Sequence, residues 1–177
     1  FVMTVVLTTS LFNFFLLCYI VTTFEQVYLS QFVGLISELV ANFTAGLFLY
    51  KLGTKTALTV FYMITILGSI LMLFYGLQHT DSLAFPAIFF LCRLGAHANF
   101  VVVIASNARI FHVESAATAF GFSSFFTRLI SSAVPIVAIM PQPTPMIIFA
   151  VNALIGILVT MLLKVHPATE KLQSTDS

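Results

Sequence analysis

The sequence predicts an all-α, polytopic membrane protein with six transmembrane helices. Three observations carry that expectation. Of 177 residues, 60% are hydrophobic and only 7% are charged, whereas soluble domains run near 25% charged because their surfaces must meet water. Polar punctuation divides the chain into six apolar runs, each close to the ~17–25 residues a helix needs to cross a bilayer. Nowhere do polar and apolar residues alternate in segments of about ten, as the strands of a membrane barrel would require.

The runs cover approximately residues 2–24, 31–50, 56–77, 84–108, 117–140 and 145–165. Residues 1–165 are therefore expected to form one helical bundle, and 166–177, HPATEKLQSTDS, a polar tail. The first run is too long for a signal-peptide core of about 7–15 residues. It begins at Phe1 rather than at an initiator Met, so the native start is expected upstream. The breaks are EQVYLS, YKLGTKT, GLQHTDS, RIFHVES and PQPTP. Connections this short make neighbouring helices antiparallel.

Orientation follows from the basic residues. Lys51, Lys55, Arg109, Lys164 and Lys171 all fall on one side, with the amino terminus, while the opposite connections carry Glu25 and Asp81 and no Lys or Arg. The positive-inside rule then places both termini on the cytoplasmic or matrix side.

Three ionisable residues remain inside the membrane: Glu38, Arg93 and Arg128, with His97 one turn after Arg93. A lone charge at the centre of a bilayer helix costs roughly 2.5–3.5 kcal/mol on insertion scales. From the helical rise, Glu38 lies ~10–12 Å and Arg93 ~13 Å below the outer face, and Arg128 ~16 Å from the inner face. Charges at matched depth on three helices point to a shared polar interior. Arg93 and His97, spaced i and i+4, share a helix face. Glu38 is read first as the structural partner of Arg93, and second as a proton site. Ser124, Ser131, Ser132 and Pro135 surround Arg128 with a polar, interrupted helix face, tolerated in a membrane where neighbours or water supply partners. The aromatic stripe Asn13-Phe14-Phe15 reads as packing.

Other function classes find no footing. The sequence has no basic run or aromatic-interleaved patch for nucleic acid. It holds no HExxH, Gly-rich phosphate loop, CxxC or Ser/His/Asp arrangement, so no enzyme is expected. His79, His97, His112 and His166 are scattered between the membrane and both faces, so neither metal nor any other cofactor is expected. Cys18 and Cys92 lie in apolar runs as small buried residues.

CRLGAHANFVVVIASNARIFHVESAATAFGFSSFFTRL resembles the stretch spanning helices ten and eleven of organic ion transporters of the major facilitator superfamily. Arg93 and Gly95 match its opening, Gly121 its glycine, and Arg128 its helix-eleven charge. YLSQFVGLISELVANFTAGLFLYKLGTK resembles the family's helix eight and following loop. There Glu38 falls on the helix-eight Glu, Gly53 on the loop Gly, and Lys51 and Lys55 on basic positions. Tyr50, Arg109, His112 and Ala116 depart from the family's loop Asp, Glu, Pro and Arg, which make cytoplasmic charge contacts that help the carrier switch states.

The resemblance implies the carboxy-terminal six-helix half of a twelve-helix carrier, in the plasma membrane by analogy, with an organelle membrane as the alternative. A missing amino-terminal half, in the same or another chain, would complete a midplane site for a small organic ion. Arginine at the charge-selecting position resembles the anion class, since its fork pairs bidentately with carboxylate or sulfate. Arg128, Arg93, His97, Glu38 and Ser124 are the expected substrate contacts. The alternative, resting on the four departures, is a transporter-derived structural subunit packed against other membrane subunits.

Overall fold

The computed structural model describes residues 2–21, 27–76, 84–110, 113–141 and 143–163. Every regular element among them is a helix: α1 (Val2–Val21), α2 (Val27–Leu71) continued by a π-helical turn (Met72–Gly76), α3 (Ala84–Ile110), α4 (Val113–Ser131), α5 (Val134–Ala138) and α6 (Thr144–Met161). Among the described residues, five helical spans are long and apolar enough to cross a membrane. Lipid offers no hydrogen bonds, so such segments must satisfy their backbone internally, and the helix does so within one segment. Polar side chains follow the same rule. On α1, Thr8 Oγ1 donates to Thr4 O at 2.7 Å and Ser10 Oγ to Val6 O at 2.8 Å.

α2 corrects the expected division into runs 31–50 and 56–77 separated by a loop. It contains 45 residues, and a straight helix of that length would reach about 68 Å, more than twice the hydrocarbon thickness. Its path breaks at one residue, Gly53, with φ 77° and ψ 169°. This backbone region is essentially open to glycine alone. The break folds the chain back on itself. The rings of Phe48 and Phe61 lie 5.3 Å apart, whereas a straight helix would separate those residues by roughly 20 Å. Lys51 and Lys55 stay helical on either side, so polarity alone did not make a loop here. Helical structure also takes in Tyr28, Leu29 and Ser30 from the expected first break, and Thr144 and Pro145 from the last.

The expected fifth helix is two pieces, α4 and α5. Pro135 has no N–H to give the Ser131 carbonyl. Ser132 N–H still makes the α-helical bond to Arg128 O at 3.0 Å, and the chain then tightens, with Ala133 N–H donating to Ile130 O at 3.1 Å.

Neighbours in space are not neighbours in sequence. α1 packs on α3, α4, α5 and α6 and scarcely approaches the backbone of α2, whereas α3 packs on both limbs of α2 and scarcely on α4. Two apolar clusters result. One joins Val6 and Leu7 to Leu49, Leu58, Val102 and Ile157; the other joins Leu16 and Leu17 to Phe85, Phe89, Val134 and Phe149. Between their α1 residues lie Thr9, Ser10 and Asn13, all buried, so a polar layer crosses the middle of the bundle.

One end of the bundle is tied by polar contacts. Lys55 Nζ donates to Met161 O at 2.9 Å, a cation at a helix carboxyl end. Ser106 Oγ donates to Thr54 Oγ1 at 3.1 Å. The Gly53 turn and the carboxyl ends of α3 and α6 therefore meet. Lys164, Lys171, Glu25, Asp81 and the polar tail lie outside the described residues.

Candidate functional site

Glu38, on the first limb of α2, and Arg93, on α3, meet in an ion pair. Arg93 Nη2 and Nε donate to the same carboxylate oxygen, Glu38 Oε1, at 2.5 and 3.1 Å. The Arg93 side chain is only 6% exposed and that of Glu38 23%. Burial weakens competition from water, so the pair holds both side chains firmly and would be costly to break from one side. Gly34, one turn before Glu38, faces the guanidinium, and a Cβ there would stand 3.6 Å from Arg93 Cζ, in ordinary van der Waals contact.

α1 closes the site. The Phe14 ring lies 5.0 Å from Arg93 Cζ, a cation–π contact in a desolvated setting. The same ring stands 5.2 Å from the His97 imidazole and 6.1 Å from Phe100. Cys18, half-buried one turn beyond Phe14, shares that face of α1. Two buried nitrogens keep spare capacity. Arg93 Nη1 and His97 Nδ1 have no hydrogen-bond partner among the described residues.

A second polar group fills the layer between the apolar clusters. Tyr62, fully buried, places its hydroxyl 2.7 Å from Thr9 Oγ1 and 2.8 Å from Ser10 Oγ. Its ring crosses α6 at Gly156, where a Cβ would run into it. Asn152 Nδ2 on α6 donates to Thr9 O at 3.0 Å and to Asn13 Oδ1 at 2.8 Å. These contacts bind α1, α2 and α6 together and leave no charge.

The five expected site residues thus separate. Glu38, Arg93 and His97 gather around Phe14. Arg128 and Ser124 do not join them in any described contact. α4 turns Ser123 and Thr127 toward α1, where they pair with Thr4 at 2.8 Å and Thr8 at 3.0 Å. Arg128 and Ser124, next to those residues on the helix, point elsewhere: Arg128 is exposed and Ser124 half-buried. No carboxylate pairs with Arg128 among the described residues. A groove of about 590 Å³ runs beside it between α1 and α4, lined by Thr4, Thr8, Phe122, Ser123, Phe126 and Ile130. It is a hydroxyl-flecked apolar surface, and none of the five residues lines it.

Sequence reasoning missed Phe14, which it took as packing, and Tyr62, which it passed over. Neither carries a local signal, because Phe14 sits between Asn13 and Phe15 in an apolar run. Only its position opposite Arg93 distinguishes it. Among the described residues, no cluster of three or more His, Cys, Asp or Glu side chains could hold a metal ion. No protein-family model matches the chain, and no curated protein matches it.

Proposed function

We propose that this chain forms a six-crossing half of a major-facilitator-like carrier that moves a small organic ion, more specifically an organic anion, by alternating access. The observation that carries the reading is the Glu38–Arg93 pair with its two spare nitrogens. Ionisable groups at membrane depth are expensive and mark substrate or ion pathways by default. This pair is partly open at Glu38, and Arg93 Nη1 and His97 Nδ1 wait beside it.

Two features of the fold support the same reading. The Gly53 fold-back divides α2 into limbs 27–52 and 54–71, each long enough to cross, which supports a sixth crossing. The packing of α1 on α3–α6, and of α3 on both limbs of α2, is compatible with two three-helix units that exchange their first helices. Nested three-helix repeats are how each half of a major facilitator fold is built. Arg128 suits a contact made across the two halves, because α4 presents it outward with no ion pair among the described residues. With Lys51, Lys55 and Arg109 at one end, the Gly53 turn and both termini would face the cytoplasm or matrix.

A structural subunit that moves nothing is the second reading. It is favoured by one observation: Arg93 already has its counter-charge within the chain. Uptake of labelled organic anions and cations by the full-length protein separates the two. A carrier moves anions, and Arg128→Asp shifts its preference toward cations while Arg128→Lys keeps the sign and loses bidentate recognition. Absence of uptake across a broad panel supports the subunit. Equal anion uptake by wild type and Arg128→Asp removes Arg128 from the site.

A further inference from the structure

The bundle leaves a gap that no described part of the chain fills. α4 and α6 both pack on α1, yet they scarcely meet each other. The groove of about 590 Å³ between α1 and α4 continues into a second cavity of about 300 Å³ between α1 and α6, with Thr8 and Ile130 lining both. Together they form one channel along α1, walled by Phe122 and Phe126 on one side and Ile147 and Val151 on the other. All four wall side chains are exposed. Left empty, such a channel costs its lining the dispersion contacts that close packing supplies.

The lining says what kind of occupant fits. No charged side chain borders either cavity. The hydroxyls are already engaged with one another, Thr4 with Ser123 at 2.8 Å and Thr8 with Thr127 at 3.0 Å, and Asn152 Nδ2 is spent on α1. A membrane helix docks where small residues let backbones approach or where polar groups seek partners across the interface. Phe and Ile walls with satisfied hydroxyls offer neither. A flexible hydrocarbon chain can follow so irregular a surface and asks for no hydrogen bond.

Length and charge point to the source. From Ala119 to Ile130, α4 rises about 16 Å, close to the ~15 Å of hydrocarbon in one leaflet. The Ala119 end lies toward the Gly53 turn, because α4 starts just after α3 ends and Ser106 of α3 meets Thr54 there. Arg109, Lys51 and Lys55 are exposed at that end of the bundle, where a phosphate headgroup would sit.

We infer that the channel binds one acyl chain of a phospholipid from the leaflet at the Gly53 end, and that this chain joins α4 to α6 across α1. The inference is separate from the carrier reading and needs only that the helices lie in a bilayer.

The test uses the full-length protein in nanodiscs that contain a trace of phospholipid carrying a photoactivatable diazirine at mid-chain. After illumination and proteolysis, mass spectrometry should find the label several-fold enriched on Val5, Phe122, Phe126 and Ile130 over Met63 and Leu67, which are exposed on the second limb of α2. Val5→Phe combined with Ala119→Phe narrows the channel and should abolish the enrichment, whereas Met63→Phe should leave it unchanged. If the narrowed variant does not fold, the wild-type pattern decides alone. Even labelling of the channel and the Met63–Leu67 face overturns the inference, since contact with bulk lipid then accounts for it. Enrichment that survives narrowing overturns it too. So does enrichment seen with a diazirine sterol or free fatty acid but not with the phospholipid, or a channel cross-linked to another polypeptide. None of these outcomes bears on anion uptake, which tests the carrier reading by itself.

Discussion

Removing the Glu38 carboxylate leaves the Arg93 guanidinium buried against Phe14 without a counter-charge. Glu38→Ala should cost about 3–5 kcal/mol in unfolding stability, the usual result of breaking a buried pair from one side. The double variant Glu38→Ala, Arg93→Met should recover much of that loss, and unfolding in mild detergent measures both. Arg128→Ala should change stability by no more than about 0.5 kcal/mol, because Arg128 is exposed and makes no ion pair among the described residues. Tyr62→Phe strips the buried Thr9 and Ser10 hydroxyls of a shared partner and should cost about 1–3 kcal/mol. At this scale the sequence was partly legible. A charge inside an apolar run announces itself, and matched depth was enough to pair Glu38 with Arg93. What depth does not give is direction around the helix axis. Arg128 turns outward, because Ser123 and Thr127 hold the other face of α4 against α1. Among twenty phenylalanines, nothing local marks the one that meets the guanidinium.

The helices themselves were legible from the apolar runs; their junctions were less so. YKLGTKT has the composition of a loop, but a reversal between two self-satisfied helices needs only one residue outside helical backbone. Gly53 is that residue, the one positive-φ position among the described residues. Gly53→Ala should cost about 1–3 kcal/mol, since a side chain there is strained whatever space surrounds it. The reversal is measurable as a distance. Spin labels at Leu39 and Leu67, both exposed, should lie roughly 10–20 Å apart across the packed limbs. An unbroken helix would hold them about 42 Å apart. Pro135 was legible as an interruption, and the break between α4 and α5 falls just before it.

Which helices touch could not be read from the chain, because every helix here is apolar on most of its surface and carries little directional pattern. The arrangement that emerges, α1 among α3–α6 and α3 between the limbs of α2, depends on small residues and hydroxyls meeting across elements far apart in sequence. The proposed six crossings make a plain topological statement: single cysteines at Tyr28 and Tyr50, both exposed, should label from opposite sides of the membrane. The central claim is that the Glu38–Arg93 pair is a working site rather than a staple, and exchanging its two charges tests it directly. Full-length Glu38→Arg, Arg93→Glu and the double exchange would be compared with wild type for melting temperature and for labelled organic-anion uptake in liposomes. Each single variant should lose both stability and uptake, since it buries two like charges. The double exchange should regain most of the melting temperature but not uptake, because the guanidinium has then moved to α2, away from Phe14 and His97. Full recovery of uptake together with stability would contradict the account and leave the pair as a structural tie alone.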